Sequence, residues 1–265
     1  MDWIEHGVFM VRDAGFGRDF TSKVWVSLIA LGIIAWDVRK QRRWDYAWVF
    51  VIASVLWALA ELFLSVQGIR DMPERLLFGS PMPLWMSYVL QGTAEAAFVV
   101  VLGLAVGDRL LVPAARRGAV AWFVAACALT VAAVWRSGLV VERGEVASRR
   151  DLLAPSALIT LTVLTLVAVW FAWRWVAWRP RTLAMAGVML VFSTIWTIAQ
   201  VWVGGRWIEV GTAAGGYVAA SPLVSFGGLA FDVVVEIVLA YVPFFALAVM
   251  VGAVTDPLPL TRGAL

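Results

Sequence analysis

Seven long apolar stretches constrain the fold of this chain more than any other feature. A helix that crosses the hydrocarbon core of a bilayer needs about 20 predominantly apolar residues. Seven segments meet that requirement: Thr21–Val38, Tyr46–Val66, Leu84–Val106, Ala119–Trp135, Pro155–Trp175, Thr182–Val203 and Leu223–Val254. We therefore predict an all-α polytopic membrane protein, a single seven-helix transmembrane domain over residues 1–265. Residues 1–20 are predicted to form a short interfacial helix through Trp3, Ile4, Val8, Phe9 and Val11, and the last span to tilt or bend at Pro243.

The composition excludes several other classes of protein. Hydrophobic residues make up 62% of the chain, whereas a soluble domain has roughly 45–50%. His6 and Cys127 are the only residues of their types, so zinc, haem and iron–sulfur sites of known type are excluded. We expect no cofactor or metal; a metal, if present, would have to be a hard ion held by carboxylates. The net charge of +3 gives no indication of a nucleic-acid partner. Arginine greatly outnumbers lysine, which is present only as Lys23 and Lys40; this GC-rich codon bias suggests a bacterial plasma membrane.

The distribution of positive charge orients the helices. Eleven Lys/Arg and 4 acids lie in segments 37–45, 107–118 and 174–181 and in the C-terminal tail. The N-terminus and the longer loops on the other side hold 10 Lys/Arg and 10 acids. Because Lys and Arg are concentrated in short loops on the cytoplasmic side of a membrane, we predict that the N-terminus lies outside and the C-terminus in the cytoplasm.

A short internal similarity suggests a repeat. Val49–Leu62 aligns without gaps with Val188–Val201. The aligned pairs include Ser54 with Ser193, Trp57 with Trp196, Ala60 with Ala199 and Glu61 with Gln200. Helices 2 and 6 would then be equivalent, which predicts two parallel three-helix repeats joined by helix 4, an arrangement that occurs in transporters.

Four acids fall inside the predicted spans: Glu61, Glu95, Asp232 and Glu236. An acid at bilayer depth costs several kcal/mol, so such residues usually face the protein interior and mark function. Asp232 and Glu236 are spaced i,i+4 and share one helix face. We expect the four acids to converge on one nearly anhydrous chamber in the outer half of the membrane.

Aromatic and hydrogen-bonding side chains share the faces of these acids. The residues that we expect to bind substrate there are Trp57, Tyr88, Gln91, Trp196, Gln200 and Tyr241. A buried carboxylic acid is a competent general acid, and aromatic rings attract cations, more strongly when both are desolvated. This combination suits protonation of an alkene or epoxide and guidance of the resulting carbocation, and the substrate would be a lipid-soluble isoprenoid.

Two segments carry a resemblance to a known family. Helix 2 contains Trp57-Ala-Leu-Ala-Glu61, and the last helix opens with Ser221-Pro222-Leu223-Val224 and continues to Asp232 and Glu236. In these features and in its layout the chain resembles the small integral-membrane terpene cyclases of fungal meroterpenoid and indole-diterpene pathways and their bacterial relatives. The resemblance implies seven spans, with one essential acid on the second helix and another on the last. The family has Trp directly before the helix-2 Glu, whereas here it stands four residues earlier, and two acids compete for the helix-7 role.

A second resemblance, to microbial rhodopsins, rests on helix 7. The segment from Asp232 to Glu236 is similar to the Asp-x-x-x-Lys segment of that family, and Trp196, Trp202, Trp85 and Tyr88 fit it loosely. Glu236 occupies the place of the retinal-linking Lys. A Schiff-base photoreceptor is therefore excluded, and a retinal-free relative is not.

We predict a membrane terpene cyclase that works without metal on a lipophilic isoprenoid. Glu61 and Asp232 (or Glu236) are assigned as the acid and base pair, with Glu95 tuning their proton affinity. A proton-coupled small-molecule transporter or a retinal-free rhodopsin-like receptor is the alternative, because intramembrane carboxylates also serve proton relays. A structural subunit of a larger complex is a third interpretation.

Overall fold

The computed structural model of the protein describes residues 6–68, 74–138 and 146–257. Seven helices in this part of the chain are long and apolar enough to span a membrane, as predicted. They are α1 (Thr21–Gln41), α2 (Asp45–Val66), α3 (Leu84–Leu110), α4 (Arg116–Gly138), α5 (Pro155–Arg174), α6 (Arg179–Trp202) and α7 (Pro222–Met250).

Helices α3 and α7 form the centre of the bundle. In the most apolar window of each, 78% and 67% of the residues are buried, against 17–28% in α1, α2, α4 and α5. Glycines bring α3 close to α6, since an added Cβ at Gly103 would lie 2.8 Å from Met189 Cγ and one at Gly107 2.9 Å from the Met185 nitrogen. Small residues at a helix interface permit this close packing.

A four-stranded antiparallel sheet covers one end of the bundle. It contains β1 (Val8–Asp13), β4 (Val146–Asp151), β5 (Arg206–Gly211) and β6 (Tyr217–Ala219), in the order β4-β1-β5-β6. A separate two-stranded hairpin pairs β2 (Leu76–Leu77) with β3 (Ser80–Pro81). The all-α prediction therefore holds for the seven spans and misses these strands.

The prediction of a helix through Val8, Phe9 and Val11 is wrong. Val8, Phe9 and Val11 lie in β1, whereas Trp3 and Ile4 lie outside the described residues. The strand forms because β4 and β5 flank it on both sides and satisfy its backbone hydrogen-bonding groups, so tertiary pairing overrides the local pattern. Val8, Met10 and Ile208 form a small apolar core to which Val224 and Leu229 of α7 contribute.

Both central helices contain a π-helical segment. Gly92–Ala97 interrupts α3 and Asp232–Leu239 interrupts α7. In α7 the π-helical segment ends at Leu239, whose carbonyl cannot accept the usual helical hydrogen bond from Pro243 because proline has no N–H. The helix continues through Pro243 to Met250, so the irregularity expected at the proline lies one turn before it. Such π-segments often mark functional sites.

A buried ionic network joins the helices at the opposite end of the bundle, where the connecting loops are short. The fully buried Arg181 donates to both carboxylate oxygens of Asp108 at 2.7 and 2.8 Å and to Asp45 Oδ2 at 3.2 Å. It also donates to the Asp256 carbonyl at 2.8 Å, and Tyr46 Oη donates to Asp108 at 2.8 Å. One guanidinium group therefore ties α2, α3, α6 and the segment after α7 together.

Candidate functional site

Three of the four predicted intramembrane acids border one cavity beneath the sheet. Glu95 lies in the π-segment of α3, and Asp232 and Glu236 lie in that of α7. The cavity measures about 40 Å³, which is room for roughly two or three water molecules. The two central helices thus present their carboxylates to a common space at the places where their backbones widen.

The sheet supplies positive charges to this cavity. Arg150 of β4 donates to Asp232 Oδ1 at 3.0 Å and also contacts Glu236 Oε2. Arg206 of β5 donates to Asp232 Oδ2 at 2.8 Å. Both oxygens of Asp232 are therefore held by guanidinium groups, whereas among the described residues Arg150 is the one guanidinium group that contacts Glu236.

The cationic partners of Glu95 come from the N-terminal part of the chain. Arg12 of β1 lies 3.3 Å from Glu95 Oε1, and Lys23 of α1 contacts the same oxygen and Gln91 Oε1. Each acid that borders the cavity thus has a cationic partner, because a carboxylate buried in a membrane protein is stable only when it is neutral or paired.

The fourth acid, Glu61, is fully buried on α2 but does not border the cavity. Burial alone would lower the pKa of the Arg150 guanidinium, but the carboxylates of Glu236, Asp232 and Glu61 more than offset that effect and raise the pKa above its usual value. Glu61 is therefore close enough to act on Arg150. Together the four acids face four cations, namely Arg12, Lys23, Arg150 and Arg206, so the cluster is balanced in formal charge.

Aromatic side chains form the apolar part of the cavity wall. Trp57, Trp196 and Tyr241 line it together with Val99 and Ile237. The rings of Trp57 and Tyr241 meet edge to face with their centroids 4.9 Å apart. The cavity therefore joins a charged side beneath the sheet to an aromatic side within the bundle.

Several buried polar atoms around this region have no hydrogen-bond partner within the described part of the chain. They include Trp57 Nε1, Gln91 Nε2 and Arg206 Nε. Buried polar groups in native proteins are nearly always hydrogen-bonded to protein or water. Trp57 and Arg206 line the cavity, so their unsatisfied N–H groups are placed to donate to a water or ligand in it.

The predicted substrate-binding residues divide into two groups. Trp57, Trp196, Gln200 and Tyr241 line the cavity, whereas Tyr88 and Gln91 do not. Gln91 is fully buried one turn before Glu95 and reaches the charged cluster through Lys23. Tyr88 is buried on α3 one turn before Gln91.

The sequence analysis missed all four cations of the cluster. Arg12, Arg150 and Arg206 lie in segments read only as loops or termini, and Lys23 lies at the beginning of the first span. One signal in the sequence could have indicated a strand that carries Arg12, namely the pattern Val-Phe-Met-Val-Arg-Asp at residues 8–13. Arg150 and Arg206 stand in similar short segments between the spans. Their pairing with intramembrane acids was not accessible because the strands that carry them are far apart in the chain.

Comparisons with protein-family models, curated proteins and solved structures find no match to this chain.

Proposed function

We propose that the protein is a membrane-embedded acid–base enzyme, a terpene cyclase that protonates an isoprenoid epoxide or alkene and closes rings through carbocations. The observation that carries the proposal is the meeting of Glu95, Asp232 and Glu236 with three aromatic rings at one buried cavity. Carboxyl groups can donate and accept the proton, and the rings can stabilise the cations formed between these two steps.

The proposed reaction is an isomerisation. A carboxylic acid transfers its proton to the epoxide oxygen or to an alkene carbon, ring closure moves the positive charge along the carbon chain, and a carboxylate removes a proton from the last cation. No atom is gained or lost, and one proton transfer within the site restores the starting state. In this reaction the substrate would have to displace water from the cavity, because water would quench the cations prematurely.

The contacts favour different roles for the acids. Glu61 follows Trp57 by one helical turn on α2, behind the aromatic wall. We assign it as the proton donor, which reaches the substrate when the cavity opens past Trp57. Glu236 engages a single guanidinium group, whereas both oxygens of Asp232 are occupied, so we assign Glu236 as the proton acceptor and Asp232 as the residue that positions Arg150 and Arg206. Glu95 tunes the proton affinity of the pair.

Substrate binding requires the cavity to open. Pockets for drug-sized ligands measure about 300–1,000 Å³, several times the volume beneath the sheet. An isoprenoid would have to displace the arginine side chains from α7 or move the sheet away from the bundle, and the displaced guanidinium groups would then have to keep a carboxylate partner.

The test is turnover in membranes that contain the protein and are supplied with prenylated epoxides and alkenes. Since the product has the mass of the substrate, it is identified by chromatographic retention and NMR. We expect Glu61→Gln and Glu236→Gln to lower the yield by at least a hundredfold, the usual contribution of general acid–base catalysis. Glu209→Gln is the matched control, because Glu209 is a sheet carboxylate that binds Arg149 away from the cavity. Equal product from Glu61→Gln and wild type would reject the assignment.

The small, charge-balanced cavity favours a second candidate, a proton-coupled transporter or a retinal-free rhodopsin-like receptor. Paired acids and bases inside a membrane are typical of proton and ion pathways, and a cavity for two or three waters suits a proton better than an isoprenoid. Liposomes that contain the protein and a pH-sensitive dye separate the two functions. Proton uptake in the absence of an isoprenoid would favour transport if the variant Glu95→Gln abolished that uptake.

A further inference from the structure

A second concave site lies at the opposite end of the bundle, on the outside of the helices. It is a groove of about 370 Å³ between α1 and α4, and α3 forms its floor. Its wall is apolar apart from one guanidinium group. The lining residues are Ile33, Trp36, Ala105, Val106, Arg109, Ala115, Gly118, Ala119 and Trp122. None of these residues belongs to the charged cavity.

The groove opens on the outside of the bundle beside the last turns of α1 and α3 and the first turns of α4, where we expect the membrane interface. Trp36 and Trp122 stand on its two sides with exposures of 50% and 57%, and Trp side chains concentrate at the level of lipid headgroups. On α1 the wall runs from Ile33 to Trp36, about 5 Å along the helix. This geometry fits the part of an acyl chain that lies nearest to its headgroup.

The mouth of the groove is positively charged. The Arg109 guanidinium lies 4.7 Å from the centre of the Trp36 ring. Lys40 is exposed and follows Trp36 by four residues, which places it on the same face of α1. Arg116 is exposed at the first residue of α4.

The acids nearest to this mouth are already neutralised inside the bundle. Asp37 is held by Arg43 at 3.1 Å and by Arg109 at 3.5 Å, and Asp108 is held by Arg181. Among the described residues, no carboxylate lies within ion-pair distance of Lys40 or Arg116. Excess positive charge therefore faces the membrane surface beside an apolar groove.

We propose that this groove binds an anionic phospholipid, with one acyl chain between α1 and α4 and the phosphate at Lys40, Arg109 and Arg116. Basic pockets between transmembrane helices recognise anionic headgroups in this way. Hydrophobic contact alone would accept any phospholipid, so the charge at the mouth is what confers selectivity. The inference is independent of the proposed function.

Native mass spectrometry of the detergent-purified protein tests the proposal directly. The protein is incubated with equimolar phosphatidylglycerol and phosphatidylcholine, and the bound lipids are counted. Each cation near a headgroup adds about fivefold to the affinity, so we expect the wild type to retain phosphatidylglycerol roughly twentyfold or more over phosphatidylcholine at one site. The double variant Lys40→Gln/Arg116→Gln keeps Arg109, so it should bring that ratio down to about fivefold or less.

A filling variant tests the groove separately from the charges. An ideal Cβ at Gly118 meets no described atom within 4 Å, so Gly118→Trp should fold and occupy the groove. Gly187→Trp is the matched control, because Gly187 of α6 has the same open surroundings and lies outside the groove. We expect Gly118→Trp to remove the retained lipid and Gly187→Trp to keep it.

Three results would overturn the proposal. They are equal retention of the two lipids by the wild type, unchanged retention in Gly118→Trp, and a dimer peak without bound lipid, which would mean that a second copy of the chain fills the groove.

Discussion

At the scale of single residues, the four intramembrane acids are held in a charged cluster rather than in a nearly anhydrous hollow. Asp232 is its most constrained member, because Arg150 and Arg206 each bind one of its oxygens. Removing one partner of a buried ion pair leaves the other charge uncompensated, which costs about 3–5 kcal/mol. The energetic importance of each acid therefore depends on how many cations lose their partner with it.

This difference gives the first prediction. Asp232→Asn leaves Arg206 without its carboxylate and weakens the binding of Arg150, so it should lower the free energy of unfolding by about 3–5 kcal/mol. Glu236→Gln leaves both arginines bound to Asp232 and should cost clearly less. Thermal unfolding in detergent or nanodiscs compares the two variants, and equal losses would contradict the pairing described for Asp232.

The second prediction concerns the fully buried Arg181. A lysine at this position cannot reach Asp108 with two parallel hydrogen bonds and still contact Asp45 and the Asp256 carbonyl. Arg181→Lys should therefore lower the free energy of unfolding by at least about 2 kcal/mol, the cost of buried donors and acceptors left unsatisfied. Arg174→Lys, at an exposed position, is the control and should change stability by less than about 0.5 kcal/mol. Similar unfolding midpoints for the two variants would refute this role of Arg181.

At the scale of elements, the π-segments of α3 and α7 determine where the acids lie. Gly92 begins the segment in α3 and packs directly on α2, since an added Cβ would collide with the Ser54 carbonyl oxygen. The carbonyl oxygen is a backbone atom and the position of a Cβ is fixed by the backbone, so neither can rotate away as the end of a longer side chain can. The position of Glu95, one turn later, depends on this close approach.

Gly92→Ala should accordingly separate α2 from α3. We expect a loss of about 1–3 kcal/mol, as for overpacked cores, and reduced turnover because Glu95 moves with its segment. Gly187→Ala is the matched control; its Cβ has open space, and replacing a helical glycine there should be neutral or stabilising by up to about 1 kcal/mol. Unfolding curves of the two variants give the comparison, and a neutral Gly92→Ala would show that the two backbones are not in contact.

The helices could be predicted from the sequence and the irregular parts of the helices could not. A span is a local property, because about 20 apolar residues are needed whatever the neighbouring helices do. The acids could be predicted for a similar reason, since each interrupts an apolar run. The π-segments depend on packing against other helices. Gly92 and Pro243 are the residues in the sequence that indicate an irregular helix at these places.

The missed strands show the same contrast between local and distant information. Each is at most six residues long, and β1 pairs with segments more than 130 residues away in the chain. No window of sequence contains such a pairing, so the arginines that the strands carry could be counted only as loop charges. Three of the eight charged groups in the cluster therefore could not be paired from the sequence alone.

At the scale of the whole molecule, the two ends of the bundle differ in kind. One end carries the sheet and the cavity, and the other carries short loops, the Arg181 network and the basic groove. The N-terminal strand and the segments after α4 and α6 meet in one sheet, as expected of a chain that crosses from one end to the other seven times. The charge distribution predicts that the sheet end faces outward.

Cysteine labelling in cells tests this orientation. Val218→Cys lies on β6 at the sheet end and Val176→Cys lies just before α6 at the other end, at positions where the native side chains are 51% and 62% exposed. A membrane-impermeant maleimide should label Val218→Cys in intact cells and Val176→Cys only after permeabilisation. The native Cys127 is buried and gives a low background. The reverse pattern would invert the predicted orientation.

The order in which the ribosome makes the sheet strands constrains how the protein matures. The strand at residues 8–13 is synthesised first, yet its two neighbours follow only at residues 146–151 and 206–211, after four and six of the helices. During that interval Glu61 is already translated while Arg150, a cation close to it, is not, whereas Glu95 follows its partners Arg12 and Lys23 along the chain. Arg150 and Arg206 can therefore meet Asp232 and Glu236 only after the last helix has been made.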